Sequence, residues 1–132
     1  MLFRSLAGMD FVILHESDGE GYGIAIPAMN AVYRHMMGSK THNILTSQAY
    51  IEAEIAELKG YQAKGWALVL TSHNAPEGKE AVAEKIAYLE KVLDLAKTSK
   101  GREDFISAVK SAFPDYAGEA YLGMSAGALF AE

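Results

Sequence analysis

Four histidines, and no cysteine, set what chemistry this chain of 132 residues can offer. A neutral imidazole is a transition-metal ligand and a general base, so the neighbours of each histidine matter. His73 stands just past the apolar run Trp66-Ala67-Leu68-Val69-Leu70, inside the polar stretch Thr71-Ser72-His73-Asn74-Ala75-Pro76-Glu77-Gly78. A residue at that place, past the end of a buried strand, is where open α/β sheets bind ligands. It is equally where a hydrogen-bonding loop residue sits. His35 and His42 flank the turn Gly38-Ser39-Lys40. Either can be a ligand or simply solvated, and His42 can instead brace the turn leading to Thr46. His15 reads as structural or exposed.

Other candidates offer less. Glu16, Asp18 and Glu20 lack the Asp/Asn pattern and terminal Glu of a calcium loop, so they read as a solvated hairpin turn. Ser72 or Ser125 as a nucleophile requires a paired base held by a third group. Gly123-Met124-Ser125-Ala126-Gly127 follows a helix rather than a strand, so it reads as close helix packing. Met29, Met36, Met37 and Met124 read as core or gap-filling residues.

The elements that position these residues fall into two parts. From Asp10 to Leu45 the chain reads as short strands and turns. Phe11 to Leu14 is an apolar run closed by the turn residues Glu16 to Gly21, and Tyr22 to Ile26 is the second arm of a hairpin. Asn30 to Met37 centres on β-prone Val32 and Tyr33, though its two methionines leave strand and helix both open. After Leu45 helices take over. Thr46-Ser47 offers an N-cap, followed by Ile51, Ile55 and Leu58 at helical spacing, with Glu52, Glu54 and Glu57 mostly on other faces and a stop between Gly60 and Gly65. Trp66 to Leu70 predicts a central strand buried on both faces. Val82, Ile86, Leu89, Leu93 and Ala96 mark a one-sided helix from Lys79 to Lys97. A shorter helix around Phe105, Ile106 and Val109 ends at Phe113-Pro114, and 117–130 predicts a last helix rich in small residues. This order predicts a single α/β domain over 1–132, with a small mixed sheet of about three to five strands and helices on one face.

Composition narrows the function classes. Half the residues are apolar, 22% are charged and the net charge is -5. An acidic balance without clustered Lys and Arg argues against a nucleic-acid partner. Without cysteine there is no disulfide, thiolate zinc site or cysteine nucleophile. Met1 to Ala7 is too short for a signal peptide, and no stretch approaches a membrane span, so the expectation is a cytoplasmic protein with no membrane partner.

Three stretches, in this order, resemble the second half of the metallo-β-lactamase superfamily, in its hydrolase-like branch. Ala31-Val32-Tyr33-Arg34-His35-Met36-Met37-Gly38-Ser39-Lys40-Thr41-His42 resembles the strand and loop that carry that family's metal-bridging Asp and a downstream His. Ala67 to His73 resembles the late strand ending in its last His ligand. The helix from Lys79, then Phe113-Pro114-Asp115-Tyr116 and the small-residue tail, resembles its C-terminal helices. The resemblance runs from Tyr22 to Phe130 and implies the C-terminal half of an αββα sandwich. It also implies zinc, held by His73, His35 and His42, and hydrolysis of a small-molecule ester, amide or thioester.

The departures limit that implication. The family's His-x-His-x-Asp-His motif is absent from these residues, and His15 has none of the surroundings of its middle His. At the bridging Asp this chain has His35, and an imidazole cannot bridge two metals as a carboxylate does. The expectation is a partial hydrolase-like domain, weak or inactive alone; the alternative is a non-catalytic ligand-binding or dimerising module. A sheet with one uncovered face also predicts a homodimer.

Overall fold

Alternation at the start of the chain and helical periodicity after residue 47 divide the computed structural model, which describes residues 2–15 and 22–131. Six strands form one mixed sheet in sequence order: β1 (Leu2–Leu6), β2 (Met9–His15), β3 (Tyr22–Ile26), β4 (Ala31–Tyr33), β5 (Leu68–Leu70) and β6 (Glu77–Gly78). The first four are successive antiparallel neighbours, β4 and β5 run parallel, and β6 returns antiparallel. A 3-10 turn at Pro27–Met29 separates β3 from β4, and left-handed Asn30 closes it. The parallel pair requires a crossover, and helix α1 (Gln48–Lys64) supplies it. Three helices follow: α2 (Glu80–Thr98), α3 (Arg102–Ala112) and α4 (Glu119–Leu129).

Pleating assigns the two faces of the sheet. In register, Val12 stands beside Ala25, Ala25 beside Val32, and Val32 beside Val69, so these four share a face. Val32 and Val69 are fully buried there against Ile51, Ile55 and Leu58 of α1 and Val82, Ile86 and Leu89 of α2. Phe105, Val109, Leu122 and Ala126 extend the same core into α3 and α4. The opposite face carries Ile13, Ile24, Tyr33 and Leu70 in one row, all only half-buried. The helices therefore cover one face.

Ser47 caps α1 by accepting the Tyr50 amide, and Gly65 ends it in the left-handed region, φ 69°, where its amide reaches the carbonyls of Tyr61 and Gln62. Three expectations need correction. The apolar run Trp66 to Leu70 yields a strand only at Leu68–Leu70, and it is next to the edge rather than central. Its outer neighbour is the two-residue β6, and Leu68 and Leu70, on the face opposite Val69, stay half-buried. The sheet has six strands because β1 and β6 join it. Glu54 lies on the core face of α1, 5% exposed, because a buried cation meets it there. The turn holding Glu16, Asp18 and Glu20 lies outside the described residues, as does the side chain of His15.

Candidate functional site at the ends of β4 and β5

Parallel pairing sends the loops after β4 and β5 out of the same sheet edge, so residues nearly forty positions apart become neighbours. Alternation past β4 turns Arg34 inward and His35 outward. Arg34 is 3% exposed, pairs with the Glu54 carboxylate of α1, and donates to the Tyr61 hydroxyl at 3.3 Å. A buried pair of this kind orients more than it stabilises, because desolvation offsets much of the attraction. Here it anchors the end of β4 to α1.

His35 and His73 meet at this edge. Their rings lie edge to face with centroids 5.5 Å apart, and both are exposed. Ser72, half-buried and next to His73 in the chain, hydrogen-bonds through Oγ to His35 Nδ1. The same Oγ accepts the Met36 amide at 3.2 Å, and Thr71 Oγ1 accepts the Met37 amide at 2.8 Å. Two consecutive hydroxyls from one loop thus clamp two consecutive amides of the other. The side chain of Asn74 lies where a side chain at Gly38 would stand, so glycine there lets Asn74 pack against the β4 loop. Glu77 completes the clamp by accepting the Ser39 amide at 2.9 Å. Met36 and His73 both have left-handed backbone, φ 58° and 69°. For residues with a side chain that conformation costs about 1–2 kcal/mol and persists where the surroundings enforce it.

His42 is elsewhere. It is 1% exposed, with Nδ1 3.1 Å from the Tyr88 hydroxyl and its ring against Tyr88 and Tyr116. Burial first, then the charge of Lys85, lowers its pKa below 6.5, with Glu119 pulling the other way and Lys110 adding to the lowering, so it stays neutral at pH 7. Of its three sequence readings, burial rules out the solvated one and the Tyr88 contact fits the brace. Beside it, Lys85 of α2 is 2% exposed and donates to the Thr41 carbonyl at 2.8 Å and to Asn43 Oδ1 at 2.7 Å. Ser125 of α4 bonds the Leu45 amide and the Asn43 carbonyl. The segment 41–45 is therefore pinned from α2 and α4 before the chain enters α1.

Of the three sequence-predicted ligands, two come together and the third does not. Among the described residues no group of three His, Asp, Glu or Cys side chains converges as a metal site. A tetrahedral zinc needs four donors, and the His35–His73 pair offers two. The residues present do not fit a complete zinc centre. Ser72 at the base of the pair meets His35 through the parallel register of β4 and β5, a contact that no spacing along the chain reveals.

The comparisons add a fold. The structure is similar to that of the stereoselective inverting sec-alkylsulfatase from Pseudomonas sp., a metallo-β-lactamase-fold enzyme, with a TM-score of 0.61 at 14% identity. The match covers 98% of this chain and 25% of that one, so this chain spans a quarter of the alkylsulfatase's length. The likeness is one of fold. No protein-family model matches the sequence, and no curated protein matches it. Among the described residues no helix is long and apolar enough to cross a membrane.

Proposed function

We propose that this chain is a metallo-β-lactamase-type, hydrolase-like domain portion that is weak or inactive as a metal hydrolase on its own. The observation that carries the reading is the juxtaposed His35 and His73 at the ends of β4 and β5, without a third ligand among the described residues. A fold likeness to an alkylsulfatase supports the hydrolase lineage, and a small ester, amide or thioester is the substrate class we assign to it. Zinc is the metal proposed, with His35 and His73 as its protein donors and His42 withdrawn into the core. Two imidazoles on exposed loops hold a metal weakly, since the remaining positions fall to water.

Calorimetric zinc titration of the parent, His35→Ala and His73→Ala tests this. Weak binding in the parent and none in either variant is expected, with no zinc-stimulated hydrolysis of 4-nitrophenyl acetate. Equal affinity in all three proteins removes the metal reading, and zinc-stimulated turnover lost in His73→Ala overturns the assignment as inactive.

A second reading, a dimerising module, is favoured by the half-buried row Ile13, Ile24, Tyr33 and Leu70 on the helix-free face. A second copy of this chain is the partner proposed, because a two-fold axis sets identical apolar rows against each other.

A further inference from the structure

The cluster at the loop ends holds a combination that metal binding does not use: a serine hydroxyl aimed at an imidazole. We propose that Ser72 and His35 form a nucleophile–base pair that takes an acyl group from an activated ester without any metal.

Ser72 Oγ accepts the Met36 amide at 3.2 Å and still has its own proton to give, with His35 Nδ1 within hydrogen-bond reach. In the tautomer with the ring proton on Nε2, His35 accepts the Ser72 proton at Nδ1, and that is the tautomer the pair requires. That is the arrangement of a serine whose proton has a base to go to. His73 packs edge-on against the His35 ring at 5.5 Å and acts as a positioning residue that restricts the imidazole plane. The backbone on both sides supports the geometry: Met36, just after His35, and His73, just after Ser72, are both left-handed. Two such residues bracketing one side-chain pair mark a place where the surroundings impose a conformation, and that runs from an observed outlier to a site.

A purely structural role for Ser72 needs only the Met36 bond. Thr71 makes the equivalent bond to Met37 and has no imidazole partner, so the His35 contact is additional to the clamp. The pair is also accessible, with His35 exposed and Ser72 half-buried, as a nucleophile for an external ester must be.

Ser72 Oγ bonds to the carbonyl carbon while its proton passes to His35 Nδ1. The bond from that carbon to the aryloxide breaks, and the aryloxide leaves with the electron pair. His35 returns its proton to solvent. Water later attacks the serine ester with His35 as base, releasing the carboxylic acid and restoring the hydroxyl. A positioned base contributes about 10²–10⁴-fold to such a step.

The probe is 4-nitrophenyl acetate, used on full-length protein freed of metal with EDTA, so that this outcome is separate from the zinc titration. Peptide mass mapping is expected to find acetyl on Ser72, with release of 4-nitrophenolate. Ser72→Ala should abolish that label, but it also removes the Met36 acceptor and can loosen the loop. His35→Phe is therefore the deciding variant, because it keeps Ser72 and its Met36 bond and removes only the base. Labelling of Ser72 at least tenfold slower in His35→Phe, in a protein whose circular dichroism is unchanged, supports the pair. Equal labelling in parent and His35→Phe overturns it, and so does acetyl found on lysines but never on Ser72.

Discussion

At the scale of single residues, the fold is organised by charges it has taken out of water. Lys85 lies on the apolar stripe of α2, one residue from Ile86 and three from Val82, where an ammonium is expensive to desolvate. Burial lowers its pKa from 10.5 to about 8, against the upward pull of Glu84, Glu77 and Glu54. An amine with a lowered folded pKa loses its proton in the folded chain first. Between pH 8 and 10.5 the unfolded chain holds the proton the folded one has released, so stability rises with pH in that window. From pH 7.5 to 9.5 the gain should be about 2 kcal/mol, at 1.4 kcal/mol per pKa unit. Above pH 10 burial of Tyr88 and Tyr116, both raised, reverses the slope, because the unfolded chain then loses phenolic protons that the folded one keeps. Urea denaturation of the parent and Lys85→Met at pH 7.5, 8.5 and 9.5 reads this directly. The rise belongs to the parent alone, and a parallel rise in Lys85→Met refutes the assignment.

At the scale of elements, α1 and α2 carry the sheet. Leu89 is fully buried in α2 and touches the core common to all four helices, so Leu89→Ala should destabilise by about 2–5 kcal/mol through lost transfer energy and a residual cavity. Ser47→Ala removes the single side-chain cap of α1 and should cost about 1 kcal/mol. If the cap change proves the larger in chemical denaturation, the end of α1 outweighs the core that the helices share. These elements were legible because periodicity is local: Ile51, Ile55 and Leu58, then Val82, Ile86 and Leu89, mark the stripes that are buried. Glu54 and Lys85 fall on those same stripes, at spacings of three or four from their apolar neighbours, and that position was the sequence signal for buried charge. The extent of β5 was not legible, since an apolar run does not say how many partners a strand has.

At the scale of the whole molecule, the proposed second copy has its test in the sheet face opposite the helical core. Ile13, Ile24, Tyr33 and Leu70 line up across four strands and remain half-buried. Burying such a row against a second copy should give a dimer in sedimentation velocity at micromolar concentration, and Ile24→Glu should return it to monomer. A parent that sediments as a monomer across that range removes the dimerising module. Leu6, 69% exposed at the end of β1, is outside this row and should be neutral when changed to Ser.

What the sequence by itself determined was the two-part order, the helix stripes, a cap at Thr46-Ser47 and the loop position of His73, because each rests on residues within a few turns of one another. That β4 stops at Tyr33 and leaves His35 beyond it was decided by pairing. Only the tertiary structure decided which of these residues meet. The parallel register of β4 with β5 set His35 beside Ser72 and His73, and the packing of α2 against segment 41–45 drew His42 inward to Tyr88. His35 and His42 are only seven residues apart on one loop. Strand pairing sends the first to the sheet edge and helix burial takes the second into the core, and neither force is written in their spacing.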